Sequence, residues 1–195
     1  MATDTLLLRK AVVCGSGLVY WGGVLVQARR IRRRIGRSPN LRPRTAKEKA
    51  LWMGWIIVIL GWILQPLFLH SAPTRYWAGL LGVGLIVLGY AATLWTYSVM
   101  GSSWRLGVDP CEKNKLVTTG PFSAVRHPIY VFQIIMLIGV FLLLPTALSL
   151  AILIVHFICV LIKTHDEEAY LETIYGDEYK QYKTRTGRLF PKFAA

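Results

Sequence analysis

The sequence predicts an all-α integral membrane protein. We expect about five transmembrane helices, the last two joined as a Pro-turned hairpin, and a cytoplasmic C-terminal helix. Three observations support this fold class: an apolar composition, five apolar segments and an uneven distribution of basic residues. Of the 195 residues, 54% are hydrophobic and only 17% are charged, whereas soluble domains average about 45–50% apolar and about 25% charged residues.

Five apolar segments account for the predicted crossings. They run over residues 11–27, 50–69 and 76–100, followed by one stretch over 129–162 that Pro145 interrupts. A bilayer core about 30 Å thick needs about 20 helical residues, which the second and third segments provide. At ~1.5 Å per residue, a single helix over 129–162 would be about 50 Å long. Two crossings with a tight turn at 144–146 therefore fit better than one long tilted helix.

The first segment has the length and the basic flank of a secretory signal peptide. However, no A-x-A-like cleavage site follows it, because Gln27 leads directly into an arginine run. We therefore interpret residues 11–27 as a retained transmembrane helix.

Basic residues are distributed unevenly between the two sides of the predicted bundle. Ten lie in 28–49, four in 101–128 and six from Lys163 onward, whereas the opposite side has only three. Lys and Arg accumulate on the cytoplasmic side of membrane proteins. Twenty basic residues on one side against three on the other therefore indicate an external N-terminus and a cytoplasmic C-terminus, in a chain whose net charge is +13. That orientation requires an odd number of crossings, with which five agrees.

The arginine-rich segment 29–44 is interpreted as a cytoplasmic loop that is attracted to anionic membrane lipids. A nucleic-acid partner is not expected, because the segment has no interleaved aromatic residues and no recognisable binding fold. Most tryptophans lie near the ends of the apolar segments, as membrane-interface anchors do. They are Trp52, Trp55, Trp62, Trp77, Trp95 and Trp104.

The three cysteines and four histidines have no metal-ligand spacing. No Cys pair follows a C-x-x-C pattern, and Cys14 and Cys159 lie in apolar stretches where Cys behaves as a small hydrophobe. The sequence therefore predicts no metal site.

A polar stretch before the fourth apolar segment has the features of a binding site. Gly120-Pro121 indicates a turn, and Pro128 suits the first turn of the following helix. Arg126 and His127 would then lie at the N-terminus of that helix, where free N–H groups and the helix dipole favour an anion. The residues alone also allow Arg126 to reach lipid phosphates and His127 merely to cap the helix.

Acidic residues follow the fifth apolar segment. Positions 165, 168 and 172 share a helical face, and Glu167 points about 100° away from Glu168. These carboxylates either pair with neighbouring Lys and Arg or bind a ligand. An amphipathic helix then follows over 177–191, where Arg185 and Arg188 could close a cytoplasmic pocket.

Five motifs follow one another in the second half of the chain. They are Gly120-Pro121-Phe122, Arg126-His127-Pro128-x-Tyr130, Glu167-Glu168, Gly176-x-Glu178-Tyr179-x-x-Tyr182 and Arg188-Leu189-Phe190-Pro191. In this order, with a helical hairpin between the second and the third, they resemble the isoprenylcysteine carboxyl methyltransferase and phospholipid methyltransferase superfamily. The resemblance covers about residues 80–195. We accordingly expect one membrane-embedded domain over 1–195, with N-terminal helices and the Arg-rich loop in 1–75 and a catalytic core in 76–195.

The resemblance implies S-adenosylmethionine as methyl donor and a lipophilic acceptor that enters from the bilayer. The cofactor-binding residues that it implies are Lys115, Leu116, Val117, Gly120, Pro121, Arg126, His127, Pro128, Tyr130, Glu167 and Glu168. The catalytic residues that we predict are Arg126, His127, Arg185 and Arg188.

Several functions remain compatible with these residues. The reference activity is isoprenylcysteine carboxyl O-methylation, and phospholipid or amine N-methylation is the alternative within the superfamily. A related reductase that uses a dinucleotide would have a similar C-terminal architecture, but nothing in the sequence indicates a nicotinamide phosphate site. A non-enzymatic membrane scaffold would bind no cofactor. The sequence does not indicate an oligomeric state.

Overall fold

The computed structural model describes residues 2–35, 45–68, 75–101 and 116–192. Within these ranges the chain forms α-helices and no β-strand. The helices are α1 (Ala2–Ile35), α2 (Ala46–Phe68), α3 (Tyr76–Met100), α4 (Pro128–Leu143), α5 (Ala147–Tyr175) and α6 (Asp177–Arg185). Four of them, α1, α2, α3 and α5, are long and apolar enough to cross a membrane, and α4 is a shorter apolar helix. The predicted all-α integral membrane fold is confirmed.

The hairpin predicted from Pro145 forms between α4 and α5. Helix α4 ends at Leu143 and α5 begins at Ala147. Thr146 caps α5, because its hydroxyl accepts a hydrogen bond from the backbone N–H of Ser149 at 3.1 Å. The alternative of one long tilted helix is therefore wrong.

Helix α5 continues well beyond its apolar part. It has 29 residues, which is about 44 Å at ~1.5 Å per residue, whereas the bilayer core is about 30 Å thick. Its last turns therefore extend past the apolar layer and carry Glu167 and Glu168 with them.

The arginine run begins inside a helix and not in a loop. Helix α1 continues to Ile35 and includes Arg29, Arg30 and Arg32–Arg34, so the predicted loop is wrong for residues 29–35. Arginine is a good helix former, and basic side chains in a last turn interact favourably with the helix dipole. Residues 36–44 lie outside the described part of the chain.

The helix pairs α2–α5 and α3–α4 run antiparallel, which places particular helix ends on one side of the bundle. In the pair α2 and α5, Lys47 forms an ion pair with Asp166 at 2.7 Å, and Gln65 lies far along the helix at Ser149. Helices α3 and α4 are also antiparallel, since Gly82 contacts Gly139 and Gly89 contacts Phe132. The C-terminal ends of α1, α3 and α5 therefore lie beside the N-terminal ends of α2 and α4. We call this side of the bundle the site end.

Glycine allows α3 and α4 to approach closely. A methyl group built on Gly82 would lie 2.7 Å from the carbonyl oxygen of Gly139, and one built on Gly89 would lie 2.8 Å from the carbonyl oxygen of Phe132. Membrane helices associate by such close backbone packing, because lipid provides no hydrophobic drive between them.

Some polar side chains in the bundle core form hydrogen bonds across helices. The indole N–H of Trp62 donates to Ser16 Oγ at 3.1 Å, and Gln133 Nε2 donates to the Tyr20 hydroxyl at 2.8 Å. Trp62 is only 1% exposed, so the prediction of an interface anchor is wrong there. Trp52, Trp77 and Trp95 are more than half exposed, as anchors are, and Trp104 lies outside the described residues.

Gly82→Ala should destabilise the bundle by about 1–3 kcal/mol, because the added methyl group overpacks the backbone of α4. The melting temperature in detergent measures the effect. Gly84→Ala is the matched control on the same helix, since nothing lies within 4 Å of a methyl group there. Equal melting temperatures for the two variants would contradict the close α3–α4 packing.

Candidate functional site

A tight turn leads the chain into α4. Gly120 adopts φ +60°, a left-handed conformation that glycine reaches without the penalty of a Cβ atom. It starts a single turn of 3-10 helix, in which Pro121 and Phe122 are buried. The hydroxyl of Tyr182 on α6 donates to the Phe122 carbonyl at 2.6 Å. Burial raises the pKa of Tyr182 to about 12, so this hydroxyl stays protonated and remains a donor at neutral pH.

The C-terminal tail pairs with the segment that precedes α4. The backbone N–H of Arg126 donates to the Gly187 carbonyl at 2.9 Å, and that of His127 donates to the Arg188 carbonyl at 3.2 Å. Gly187 has no room for a side chain, because a Cβ there would lie 1.6 Å from the Phe190 carbonyl oxygen. This pairing places residues 186–189 beside the start of α4.

Glu168 lies at the centre of the site and is almost completely buried. Its Oε1 accepts from Arg126 Nε at 2.7 Å, and its Oε2 accepts from Arg188 Nη2 at 2.9 Å. His127 Nε2 lies 3.4 Å from the same Oε1. The Arg126 side chain is only 7% exposed and also donates to the Thr186 carbonyl. The buried carboxylate therefore joins the start of α4, helix α5 and the tail.

Glu167 faces a different part of the site and is more accessible than Glu168. Its Oε1 accepts from the Tyr130 hydroxyl at 3.1 Å, and its Oε2 lies 3.6 Å from His127 Nδ1. Lys163, one turn earlier on α5, lies 3.5 Å from Oε1. The side chain of Glu167 is 17% exposed, against 3% for Glu168. The two adjacent carboxylates therefore differ in how freely they could meet a ligand.

Aromatic rings form the wall of the site on the bundle side. The Tyr130 ring lies near-parallel to the His127 ring at 6.0 Å between centroids, and the Trp55 ring lies 5.9 Å from Tyr130. His156 stands edge-on to Trp55 at 4.9 Å. Helix α2 thus contributes an aromatic face to a site that is otherwise built from the C-terminal half of the chain.

The N-terminus of α4 opens onto this arrangement. His127 occupies the N-cap position without a side-chain capping bond, and Pro128 begins the helix. His127 Nε2 is buried and has no hydrogen-bond partner within the described residues. An uncapped helix N-terminus can receive an anionic or polar group, whereas the buried His127 Nε2 faces the Glu168 carboxylate at 3.4 Å.

The structure brings most of the predicted residues together and leaves a few apart. Arg126, His127 and Tyr130 meet Glu167, Glu168 and Arg188, while Gly120, Pro121 and Pro128 shape the backbone. Arg185 is on the exposed side of α6 and has no partner within the described ranges. Leu116 and Val117 are half-buried before the 3-10 turn, and Lys115 lies outside the described residues.

Several residues at the site have little or no signature in the sequence. The Thr186 and Gly187 carbonyls accept from Arg126, and a backbone acceptor has no side-chain signature. Trp55 was interpreted as an interface anchor, because nothing in its segment indicates that it contacts α4. Lys163 could have been found, since Lys and Glu four positions apart on a helix commonly pair.

A family model and one relative point to a methyltransferase family. Residues 77–178 match the family model described as "Phospholipid methyltransferase". Protein-S-isoprenylcysteine O-methyltransferase B of Arabidopsis thaliana is 28% identical over 145 residues, which cover 72% of this chain and 72% of that protein.

Two bacterial relatives have names that refer to metal resistance. The cobalt-zinc-cadmium resistance protein CzcN of Cupriavidus metallidurans is 28% identical over 144 residues, covering 72% of this chain and 63% of the relative. The nickel-cobalt-cadmium resistance protein NccN of Alcaligenes xylosoxydans xylosoxydans is 27% identical over 143 residues, covering 72% and 64%. The match thus spans less than two thirds of these relatives. Among the described residues of this chain, no group of three His, Cys, Asp or Glu side chains could hold a metal ion.

Glu168→Gln should destabilise the protein by about 3–5 kcal/mol, because it leaves Arg126 as a buried, uncompensated charge. Chemical or thermal unfolding in detergent measures the loss. Glu172→Gln is the control one turn later, where the partner Lys183 is about one-third exposed and the change should stay within about 1 kcal/mol. Similar losses for both variants would show that Glu168 has no special structural role.

Tyr182→Phe should cost about 1–3 kcal/mol of unfolding free energy, because the buried Phe122 carbonyl loses its donor. Tyr179→Phe, three residues earlier on α6, is the matched control. Its hydroxyl is buried and has no hydrogen-bond partner within the described residues, so its removal should be neutral. A larger loss for Tyr179→Phe than for Tyr182→Phe would refute the bond between α6 and the 3-10 turn.

Proposed function

The chain belongs to the phospholipid methyltransferase family, and on that basis we propose that it transfers a methyl group from S-adenosylmethionine to a lipophilic acceptor. One observation carries the proposal. The Arg126-His127 and Glu167-Glu168 motifs, which lie in the family-matched region, meet within hydrogen-bonding and ion-pair distance at the site end of the bundle. We propose that the site end faces the cytoplasm, which is the side that the basic residues indicate.

The residues at the site end suit such a cofactor. S-adenosylmethionine supplies a methyl group already activated on a sulfonium, so the protein has mainly to align the reactants and exclude water. The ring faces of Tyr130 and Trp55 can lie against a cation. Glu167, the more accessible carboxylate, can accept hydrogen bonds from hydroxyl or amino groups. The uncapped N-terminus of α4 and the partly exposed Arg188 can receive a carboxylate.

Arg126 and Glu168 are proposed to position these groups and not to be the main ligands. Two of the Arg126 nitrogens already donate to Glu168 and Thr186, and Glu168 is paired on both oxygens. Their bonds hold His127 and Arg188 in place around the N-terminus of α4. Arg185, exposed on α6, would act only at longer range by attracting an anionic acceptor.

The acceptor is proposed to be the carboxylate of an isoprenylated cysteine. A carboxylate is already a nucleophile at neutral pH and needs no general base. The Arabidopsis relative carries that activity in its name. The alternative is N-methylation of a phospholipid amine, which the family description favours. An amine has to lose a proton, for which His127 is the candidate base.

Glu167→Gln should weaken S-adenosylmethionine binding about 10- to 100-fold, because the loss of one charge-assisted hydrogen bond corresponds to about 1.5–3 kcal/mol. Calorimetry on the detergent-purified full chain measures the affinity. Asp166→Asn is the matched control, because the partner of Asp166, Lys47, lies outside the site. The affinity of this variant for S-adenosylmethionine should match that of wild type. Unchanged affinity in a folded Glu167→Gln protein would refute the assignment of Glu167. Wild-type protein without saturable binding would refute the cofactor and favour a scaffold.

Methyl transfer from the labelled cofactor to small prenylated thiols with a free carboxylate, and to amine-bearing phospholipids, distinguishes the acceptors. We expect turnover with the prenylated carboxylates. Turnover with the amines alone would support N-methylation, and His127→Asn should then abolish the reaction.

A further inference from the structure

A cleft lined by both polar and apolar residues lies at the site end, and none of its lining residues belongs to the candidate catalytic site. It has a volume of about 360 Å³ and opens between the ends of α1 and α3. Helix α1 contributes two arginines, a glutamine and a buried isoleucine, and helix α3 contributes a tyrosine and a serine. These residues are Arg30, Arg34, Gln27, Ile31, Tyr97 and Ser98.

Only some arginines of the arginine run line the cleft. Gln27, Arg30 and Arg34 follow the i, i+3, i+7 spacing of one helical face. Arg29 and Arg33 are one position earlier in the same turns, do not line the cleft and therefore point about 100° away. If the arginines served only to place positive charge at the membrane, it would not matter which of them lined the cleft.

Arg30 and Arg34 are available to bind an anion. Both side chains are exposed, and no ion pair in the described part of the chain involves either of them. Two guanidinium groups one helical turn apart can bind a phosphate through paired hydrogen-bond donors. Gln27 adds an amide from the turn before.

The surroundings of the cleft favour a phosphate carried by a lipid over a free one. Leu94, one turn into the apolar part of α3, also lines the cleft and is 47% exposed. The neighbouring Trp95 is 54% exposed, as expected for a ring at the membrane interface. On α1, Leu25 and Val26 are exposed just before the arginines. A lipid phosphate in the cleft would therefore have apolar surface beside it for its acyl chains.

We propose that the cleft between α1 and α3 binds the phosphate group of an anionic phospholipid through Arg30 and Arg34. The site is separate from the cofactor site and does not depend on the proposed methyl transfer. It makes α1, which lies outside the family-matched region 77–178, a lipid-recognition element.

Native mass spectrometry of the detergent-purified full chain, titrated with phosphatidylglycerol or phosphatidylcholine, tests the proposal. We expect wild type to retain phosphatidylglycerol in preference to phosphatidylcholine. The double variant Arg30→Gln/Arg34→Gln should weaken phosphatidylglycerol binding about tenfold, since charge-assisted hydrogen bonds are lost. The control Arg29→Gln/Arg33→Gln removes the same charge from the same turns and should stay within about twofold of wild type.

Three outcomes would overturn the proposal. Equal weakening in the two double variants would show that binding is only diffuse attraction to charge. Equal retention of the two lipids would show that the phosphate is not recognised by its negative headgroup. Displacement of phosphatidylglycerol by millimolar inorganic phosphate would assign the cleft to free phosphate. Melting temperatures of the variants, and the single variants Arg30→Gln and Arg34→Gln, separate lost binding from lost folding.

Discussion

The ion pairs of Glu168 are the interaction on which the rest of the site depends. This buried carboxylate joins Arg126, which precedes α4, to Arg188, which follows α6. An unpaired charge there would cost several kcal/mol, so the tail has to close over α5 for the protein to be stable. The tail in turn accepts the backbone N–H groups of Arg126 and His127. The ion pair between Arg126 and Glu168 thus helps to orient the imidazole of the next residue, His127, at the N-terminus of α4.

The α4–α5 hairpin places the Arg126-His127 and Glu167-Glu168 motifs at the same height along the bundle. His127 and Glu167 are separated from the turn at Pro145 by similar numbers of residues, on opposite arms of an antiparallel pair. Helix α4 is short and begins only at Pro128, whereas α5 extends beyond its apolar part. Both motifs therefore lie at the boundary between the apolar part of the hairpin and its polar end. A lipophilic acceptor and a water-soluble donor could approach such a boundary from different sides.

The site end collects both the catalytic candidates and the arginine run, but they are built differently. Arg126 is enclosed and fully engaged by protein acceptors, whereas Arg30 and Arg34 face an open cleft. The same residue type is structural in one place and free to bind in the other, because burial forces a guanidinium to find protein partners. A guanidinium at the membrane surface does not need protein partners, since water and lipid headgroups solvate it.

The sequence by itself determined the apolar segments, the hairpin at Pro145 and the extension of α5, since span length and proline chemistry act locally. The motifs also identified six of the residues that meet at the site, but not Trp55 or Lys163, which lie there as well. Only the tertiary structure decided that Arg126 pairs with Glu168, that Arg185 is left outside and that Trp62 is buried. In a membrane protein both the lipid-facing and the core-facing side chains are apolar. Periodicity therefore cannot show which face another helix covers, and partners across the bundle emerge only from packing.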